Sequence, residues 1–357
     1  MGAFPLALSG TITYHGASRF EPLTIHAGVE ADDLLPASWT KTKAPGVRIT
    51  GPLNASVTLT GPTRHPKLKG WIDGRDAFID VPSLLQKVAG QDGRLEFEGQ
   101  FHPGSRIHFE RVELMMLPLR LRGQGTIRYR SDVTWEGRFD SGPVYLGVLP
   151  EGIRVLGDVI QSGILEVQLK GRGRGTDWTH WNTKGWVALT EGVMVLRGVA
   201  DPISNIFIRL KVDEDQLDLK RMEFRLKESE AVITGFMKNW KTIPVVSVML
   251  DSPQFDIDLL IPKAGRSALR DGIEWLAAHG SLEGSVHIER PTYKTLSGKN
   301  LSAVLKIHDN LVSMDKVQTM VAEHGTVVGR FFVHLPQGRP AAMRASFQAK
   351  DLPFENV

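Results

Sequence analysis

The sequence predicts a mainly β protein in which repeating antiparallel β-sheet units form an elongated, twisted open groove with short connecting helices. Three observations favour this class. Landmarks recur at a nearly fixed spacing, apolar and polar residues alternate within short segments, and 36 glycines and 20 prolines are scattered along the 357 residues. A fixed long period is typical of arrays whose units stack on one another. Dispersed Gly and Pro are typical of many short strands joined by turns.

The repeat is visible in glycine landmarks and in one longer segment. Gly51, Gly163 and Gly280 open the similar phrases GPLNA, GILEV and GSLEG, separated by 112 and 117 residues. The segment IHFERVEL (107–114) is similar to LDLKRMEF (217–224) and to VSMDKVQT (312–319). These landmarks predict four segments. They are the second half of a preceding repeat with a linker (1–50), a β-groove repeat (51–162), a second repeat ending in an amphipathic helix (163–279), and a shorter repeat (280–357).

Strict alternation within the repeats predicts strands with one dry face and one wet face. In the first repeat, for example, apolar Leu53, Val57 and Leu59 alternate with polar Asn54 and Thr58, which is the pattern of a half-buried strand. The same alternation predicts a strand through Phe255, Ile257 and Leu259. We expect the following apolar side chains to line the groove: Leu53, Val57, Leu59, Leu121, Val167, Leu169, Val248, Leu250, Ile257 and Val286.

Helical spacing of apolar residues occurs between the predicted sheets. Over residues 263–279, Ala268, Leu269, Ile273, Leu276 and Ala277 recur at this spacing, and Gly280 supplies a stop signal, which predicts an amphipathic helix. Two shorter helices are predicted, one from Ile153, Leu156 and Ile160, the other from Leu84, Leu85 and Val88. We expect these helices to cover sheet edges or junctions between units.

Composition and spacing argue against several function classes. The 43 Lys and Arg exceed the 40 Asp and Glu by only three charges, too few for a nucleic-acid partner. The absence of cysteine excludes disulfides and thiolate metal sites. Two carboxylate pairs, Asp213 with Asp215 and Asp256 with Asp258, have the spacing of cation ligands but lack further ligands, so we expect solvated strand faces. With no catalytic set among the 11 histidines, the sequence predicts neither an enzyme nor a cofactor.

Two stretches carry a resemblance to a known family. GPLNASVTLTGPTRHPKLKGWIDGRDAFI (51–79) has the form Gly-x-Leu, alternating strand, Gly, short turn, Pro-x-Leu-x-Gly, second strand, Asp-Ala. Residues 299–335 show a strand, an Asp-containing turn, a second strand, and a Gly-rich turn before a third. This pattern resembles the repeat of the AsmA-like family, including its TamB and YhdP branches, and the second stretch is similar to that family's C-terminal region.

The resemblance implies a segment of a bridge-like lipid transport protein in the periplasm of a Gram-negative cell, anchored to the inner membrane by a segment absent from this chain. Its groove would carry the acyl chains of phospholipid towards the outer membrane, with inner- and outer-membrane envelope proteins as possible partners. Membrane contact would occur through regions outside this fragment. The alternative is a non-enzymatic envelope scaffold that assists outer-membrane protein assembly. A carbohydrate-binding array would need aromatic residues aligned on a wet face, and the sequence shows no such alignment.

Overall fold

The structure is a computed structural model that describes residues 7–14, 23–31, 48–61, 65–81, 85–116, 119–129, 132–149, 153–155, 159–175, 180–196, 199, 201–260, 268–294, 296–321, 325–334 and 342–351. Contacts within the chain divide it into two units, Met1–Trp186 (unit 1) and Val187–Val357 (unit 2). The division falls within strand β14 (Asn182–Met194). Each unit is described by itself.

The main ladder of unit 1 is an antiparallel sheet in which most strands pair with their neighbours in sequence. Its order is β1–β2–β3–β4–β7–β8–β9–β10–β13. The strands are β1 (Ala7–Tyr14), β2 (Leu23–Ala31), β3 (Arg48–Thr60), β4 (Lys67–Asp73), β7 (Arg94–His102), β8 (Arg106–Met116), β9 (Leu119–Arg128), β10 (Thr134–Asp140) and β13 (Ile160–Arg174).

Short strands lie beside the main ladder of unit 1, and three of them join the start of β3 in a side ladder. They are β5 (Phe78–Val81), β6 (Leu85–Lys87), β11 (Val144–Tyr145) and β12 (Ile153–Val155), and a 3-10 helix covers Leu146–Val148. The start of β3 pairs with β5, β5 with β6, and β6 with β12, while β11 pairs with β13.

The two short helix predictions are therefore wrong. Leu85 lies in β6, Ile153 in β12 and Ile160 at the start of β13, and Val88 follows β6 without helical structure. Leu84 and Leu156 lie outside the described residues. A strand of three residues is too short to show a period of two. The start of β3 offers unpaired backbone N–H and C=O groups, which β5 binds. Tertiary contacts therefore decide the local structure here.

Unit 2 contains a second ladder in strict sequence order, β15 to β23. Its strands are β15 (Ile203–Asp213), β16 (Gln216–Leu226), β17 (Ser229–Lys238), β18 (Val245–Asp256), β19 (Ser281–Tyr293), β20 (Leu296–His308), β21 (Leu311–Val321), β22 (Gly325–His334) and β23 (Ala342–Lys350).

One pair in unit 2, β18 with β19, is parallel. A parallel pair needs a long crossover, and the connection contains a 3-10 helix (Ile257–Leu260) followed by helix α1 (Ala268–His279). Helix α1 confirms the predicted amphipathic helix within the described residues, whereas the strand predicted through Ile257 and Leu259 is wrong. The Asp258 N–H bonds the Asp256 carboxylate at 3.1 Å, which turns the chain out of the extended conformation at this point.

The sheets are open within the part of the chain that the structure describes. There, β1 pairs only with β2, and β23 pairs only with β22. The predicted mainly β class, with open and mostly antiparallel sheets, is confirmed.

The three similar eight-residue segments share a β-bulge at the same position. They lie in β8, β16 and β21, and in each the register shifts at the fourth and fifth residues. The residues at the shift are Glu110–Arg111, Lys220–Arg221 and Asp315–Lys316. A bulge places two residues opposite one on the partner strand, so the sequence repeat corresponds to a repeated local geometry. The repeat boundaries at Gly51, Gly163 and Gly280 stay a prediction.

Candidate functional site

Strand register brings apolar residues of the unit 1 main ladder onto one side, which we call the apolar face of unit 1. Residues directly opposite each other in a ladder share a face. Val57 lies opposite Gly70, which lies opposite Phe97, and Phe97 lies opposite Val112. Further along the sheet, Gly123 lies opposite Phe139 and Phe139 opposite Leu169. The face therefore extends from β3 to β13.

All six predicted groove residues of unit 1 lie on this face. Leu53, Val57 and Leu59 lie on β3, Leu121 on β9, and Val167 and Leu169 on β13. Each of these side chains is half-buried. Neighbouring side chains cover part of its surface, and the rest remains accessible to a ligand.

Unit 2 has an apolar face of the same kind. Leu250 lies between Ile233 on β17 and Val286 on β19, and Val248 lies opposite Gly235. The predicted residues Val248, Leu250 and Val286 are thus brought together on adjacent strands. Ile257 is not part of the sheet, because it lies in the 3-10 helix that follows β18.

Part of the unit 2 apolar face is a closed core that the sequence did not predict. Ala231, Phe255 and Ile288 form a cluster in which no side chain is more than 4% exposed, and Leu250 and Val286 pack against it. Phe255 was assigned to an alternating strand, but its burial depends on β17 and β19, which are distant in sequence. The unit 2 apolar face therefore has a closed region around Phe255 and an accessible region elsewhere, for example at Phe347.

Glycines opposite aromatic residues are a second feature that the sequence did not predict. In four cross-strand pairs the aromatic ring occupies the space that a Cβ atom would need: Gly70 with Phe97, Gly123 with Phe139, Gly173 with Trp135, and Gly329 with Phe347. A Cβ at Gly70, for example, would lie 2.5 Å from the Phe97 Cζ. The rings thus lie across the glycine of the neighbouring strand and present apolar surface. In the sequence, these pairs could have been recognised from a glycine that takes the place of an apolar residue in the alternation, as Gly123 does after Leu121 and Arg122.

The opposite, polar faces carry charged side chains and two shallow depressions. One, of about 410 Å³, is lined by Trp71 and by paired charges such as Lys69 and Glu98, whose atoms are 2.9 Å apart. The other, of about 620 Å³ in unit 2, is lined by charged side chains including Lys306 and Arg330. Charged linings do not suit acyl chains, so both depressions belong to a different class of site from the apolar faces.

A buried carboxylate lies at the centre of the unit 1 polar face. Glu113 is inaccessible to solvent and accepts hydrogen bonds from Arg111, Arg120 and Arg122, the last at 3.2 Å. These hydrogen bonds lower the pKa of Glu113 to about 2, against the opposing effect of burial. The burial of Glu113 depends on arginines from two strands, so the pattern of β8 alone could not predict it.

A lysine is enclosed by backbone carbonyls in the side ladder of unit 1. The Lys87 ammonium is fully buried, and its three N–H groups are shared among the carbonyls of Gly74, Arg75, Ala77 and Val88 at 2.7 to 3.3 Å. Burial lowers the pKa of Lys87. The ammonium fixes the turn between β4 and β5, which makes it a structural group.

Among the described residues, no group of three or more His, Asp or Glu side chains could hold a metal ion. The Asp213 carboxylate lies 3.2 Å from the Lys211 ammonium. No helix in the described part of the chain is long and apolar enough to cross a membrane.

The chain matches no protein-family model, and no curated protein or solved structure is significantly similar to it. The resemblance to the AsmA-like family stays a prediction that rests on the residues quoted for it.

Proposed function

We propose that the chain is a segment of a periplasmic, bridge-like lipid transport protein whose apolar faces carry phospholipid acyl chains between the inner and outer membranes. The observation that carries the proposal is the in-register apolar face. From β3 to β13 in unit 1, each main-ladder strand places apolar side chains or glycine on the same side as its neighbour. Such a face needs an apolar cover, and acyl chains provide one.

The energetics favour a conduit of this kind. A diacyl lipid that crosses water exposes roughly 30 methylenes, a cost on the order of 20 kcal/mol at ~0.8 kcal/mol each. An accessible apolar face lowers most of that barrier. The function requires no nucleophile, metal or proton donor, so the proposal includes neither enzymatic activity nor a cofactor. The periplasmic location, the inner-membrane attachment and the envelope partners rest on the family resemblance alone.

Photocrosslinking at adjacent residues on opposite faces tests the proposal directly. Phe139 is 48% exposed on the apolar face of unit 1, and its neighbour Arg138 lies on the polar face. Phe347 and Gln348 on β23 form the equivalent pair in unit 2. Benzoylphenylalanine at positions 139 and 347 should crosslink to the acyl chains of phospholipid in cells, while positions 138 and 348 should give no acyl-chain adducts. Equal lipid adducts on both faces, or none on either, would contradict the proposal.

A charge placed on the apolar face tests whether the face carries lipid or only forms a core. Leu250→Asp puts a carboxylate between Ile233 and Val286, whereas Met249→Asp changes the next residue, which is 47% exposed on the other face. Because an unpaired charge among apolar groups is costly, Leu250→Asp should stop lipid transport in cells and Met249→Asp should not. If Leu250→Asp unfolds the protein, measured by circular dichroism, Leu250 belongs to a closed core instead.

The edge strand β23 supports a second candidate, a non-enzymatic scaffold that assists outer-membrane protein assembly. In the described part of the chain β23 pairs only with β22, and residues 344–350 are all exposed. An exposed edge can accept a strand from another protein. Crosslinkers along β23 that capture one envelope protein, with no lipid adducts at positions 139 and 347, would favour the scaffold over the conduit.

A further inference from the structure

Three arginines surround one buried carboxylate on the polar face of unit 1. Arg111 on β8 and Arg120 and Arg122 on β9 all donate to Glu113. The carboxylate is inaccessible, while the arginine side chains are 46% to 63% exposed. Three positive charges thus face one negative charge, and we call these four residues the arginine cluster. Asp140 on β10 lies opposite Arg122 and offsets part of the remaining positive charge. Glu98 on β7 lies opposite Arg111 but is bound to Lys69, so the cluster keeps a net positive charge at the protein surface.

The hydrogen bonds to Glu113 leave other guanidinium donors available. Arg120 and Arg122 bind Glu113 through Nε, and Arg111 binds it through Nη2. Among the described residues, Glu113 is the acceptor for all three guanidinium groups, and each guanidinium carries five N–H donors. The buried carboxylate holds the three side chains in one arrangement, which lowers the entropy lost when a ligand binds.

The repeated bulge provides an internal comparison. Glu113 is the third residue after Glu110, the first bulge residue of β8, and Arg122 lies opposite it. At the equivalent position of the second repeat, Val232 lies opposite Glu223, which is 40% exposed. The fold therefore forms the same bulge without an arginine at this position. The arginine cluster is a property of unit 1 that the repeat geometry does not require.

We propose that the arginine cluster binds a phosphate group, supplied either by free inorganic phosphate or by a lipid headgroup. Guanidinium N–H groups match the oxygens of such anions and form charge-assisted hydrogen bonds with them. A phosphate group would neutralise the positive charge that Glu113 and Asp140 leave uncompensated. The site lies on the face opposite the one proposed for acyl chains, so it is a binding function beyond lipid transport.

Binding by the full chain tests the proposal with two probes. Inorganic phosphate is titrated by isothermal calorimetry, and phosphatidylcholine vesicles with and without phosphatidylglycerol are used in flotation. The test variant is Arg120→Gln with Arg122→Val, which places valine where the second repeat has it. The matched control is Arg221→Gln, which removes an arginine bound to Glu223. Affinity should fall about tenfold for each arginine removed from the cluster and stay unchanged in the control.

The outcomes separate the two sources and can overturn the proposal. Calorimetric binding without flotation identifies free phosphate, and flotation that depends on phosphatidylglycerol identifies a headgroup. Binding of neither probe by the unmodified chain would overturn the proposal, as would a folded double variant that binds as tightly as the unmodified chain. If the double variant does not fold, Arg122→Val alone decides, because it leaves Glu113 two partners. A loss of about tenfold supports the site and no loss rejects it.

Discussion

Replacing Glu113 with glutamine should destabilise unit 1 far more than the equivalent change at Glu223. Glu113→Gln keeps the size of the side chain but removes the charge that three arginines bind. Each charge-assisted hydrogen bond contributes about 1.5–3 kcal/mol to stability. In the variant, the half-exposed arginines can form hydrogen bonds to water instead, which offsets part of the loss. We expect a loss of about 3 kcal/mol in the free energy of unfolding, at the low end for breaking a buried ion pair. Glu223 has one exposed partner, Arg221, so Glu223→Gln should cost under about 1 kcal/mol.

Urea denaturation, followed by tryptophan fluorescence, measures the free energy of unfolding of both variants. The pH dependence of this free energy is a second test. The pKa of Glu113 falls from 4.5 to about 2 on folding. Its contribution to stability is therefore complete above pH 4.5 and is lost as the pH falls towards 2. The difference between the unmodified chain and Glu113→Gln should shrink over this range. Equal losses for the two variants at pH 7, or a gap that does not change with pH, would refute this reasoning.

Two further substitutions test the buried groups. Phe255→Ala should lower the free energy of unfolding by about 3–5 kcal/mol, because Phe255 is 1% exposed in a packed cluster and the substitution leaves a cavity. Phe347→Ala, at a residue that is 58% exposed, should cost much less, and similar losses in thermal or urea denaturation would show that the two rings are equally buried. Lys87→Met should cost about 3 kcal/mol or more, because it leaves three turn carbonyls and the Val88 carbonyl without their ammonium donor. A Lys87→Met variant as stable in urea as the unmodified chain would show that water replaces the ammonium.

Alternation along the chain predicted which residues share a face in the strands that form, but not at Ile257, which lies in a 3-10 helix. Side chains of a strand alternate with a period of two, so the sequence of β3 alone places Leu53, Val57 and Leu59 together. Helix α1 was predicted because its 12 residues hold a clear helical period. The strands β6 and β12 were missed because three residues are too few to distinguish a helix from a strand.

The buried groups could not be predicted because their burial comes from residues distant in sequence. Glu113 has the same local pattern as Glu223, and only the arginines of β9 make the two positions different. Lys87 follows an ordinary strand pattern, and its carbonyl partners at residues 74–77 belong to a turn that tertiary structure positions. Phe255 similarly depends on β17 and β19.

The parallel pair of β18 and β19 has a consequence for the order in which unit 2 folds. From β15 to β18 and from β19 to β23, each strand can form a hairpin with the strand just before it, and such local contacts form quickly. The residues paired between β18 and β19 are all 36 apart, from Val245 with Ser281 to Asp256 with Thr292. No hairpin can start this pair, so β18 keeps an unpaired edge until the crossover containing α1 has closed. If local contacts form first, we expect β15–β18 and β19–β23 to assemble as two hairpin stacks before the parallel pair joins them.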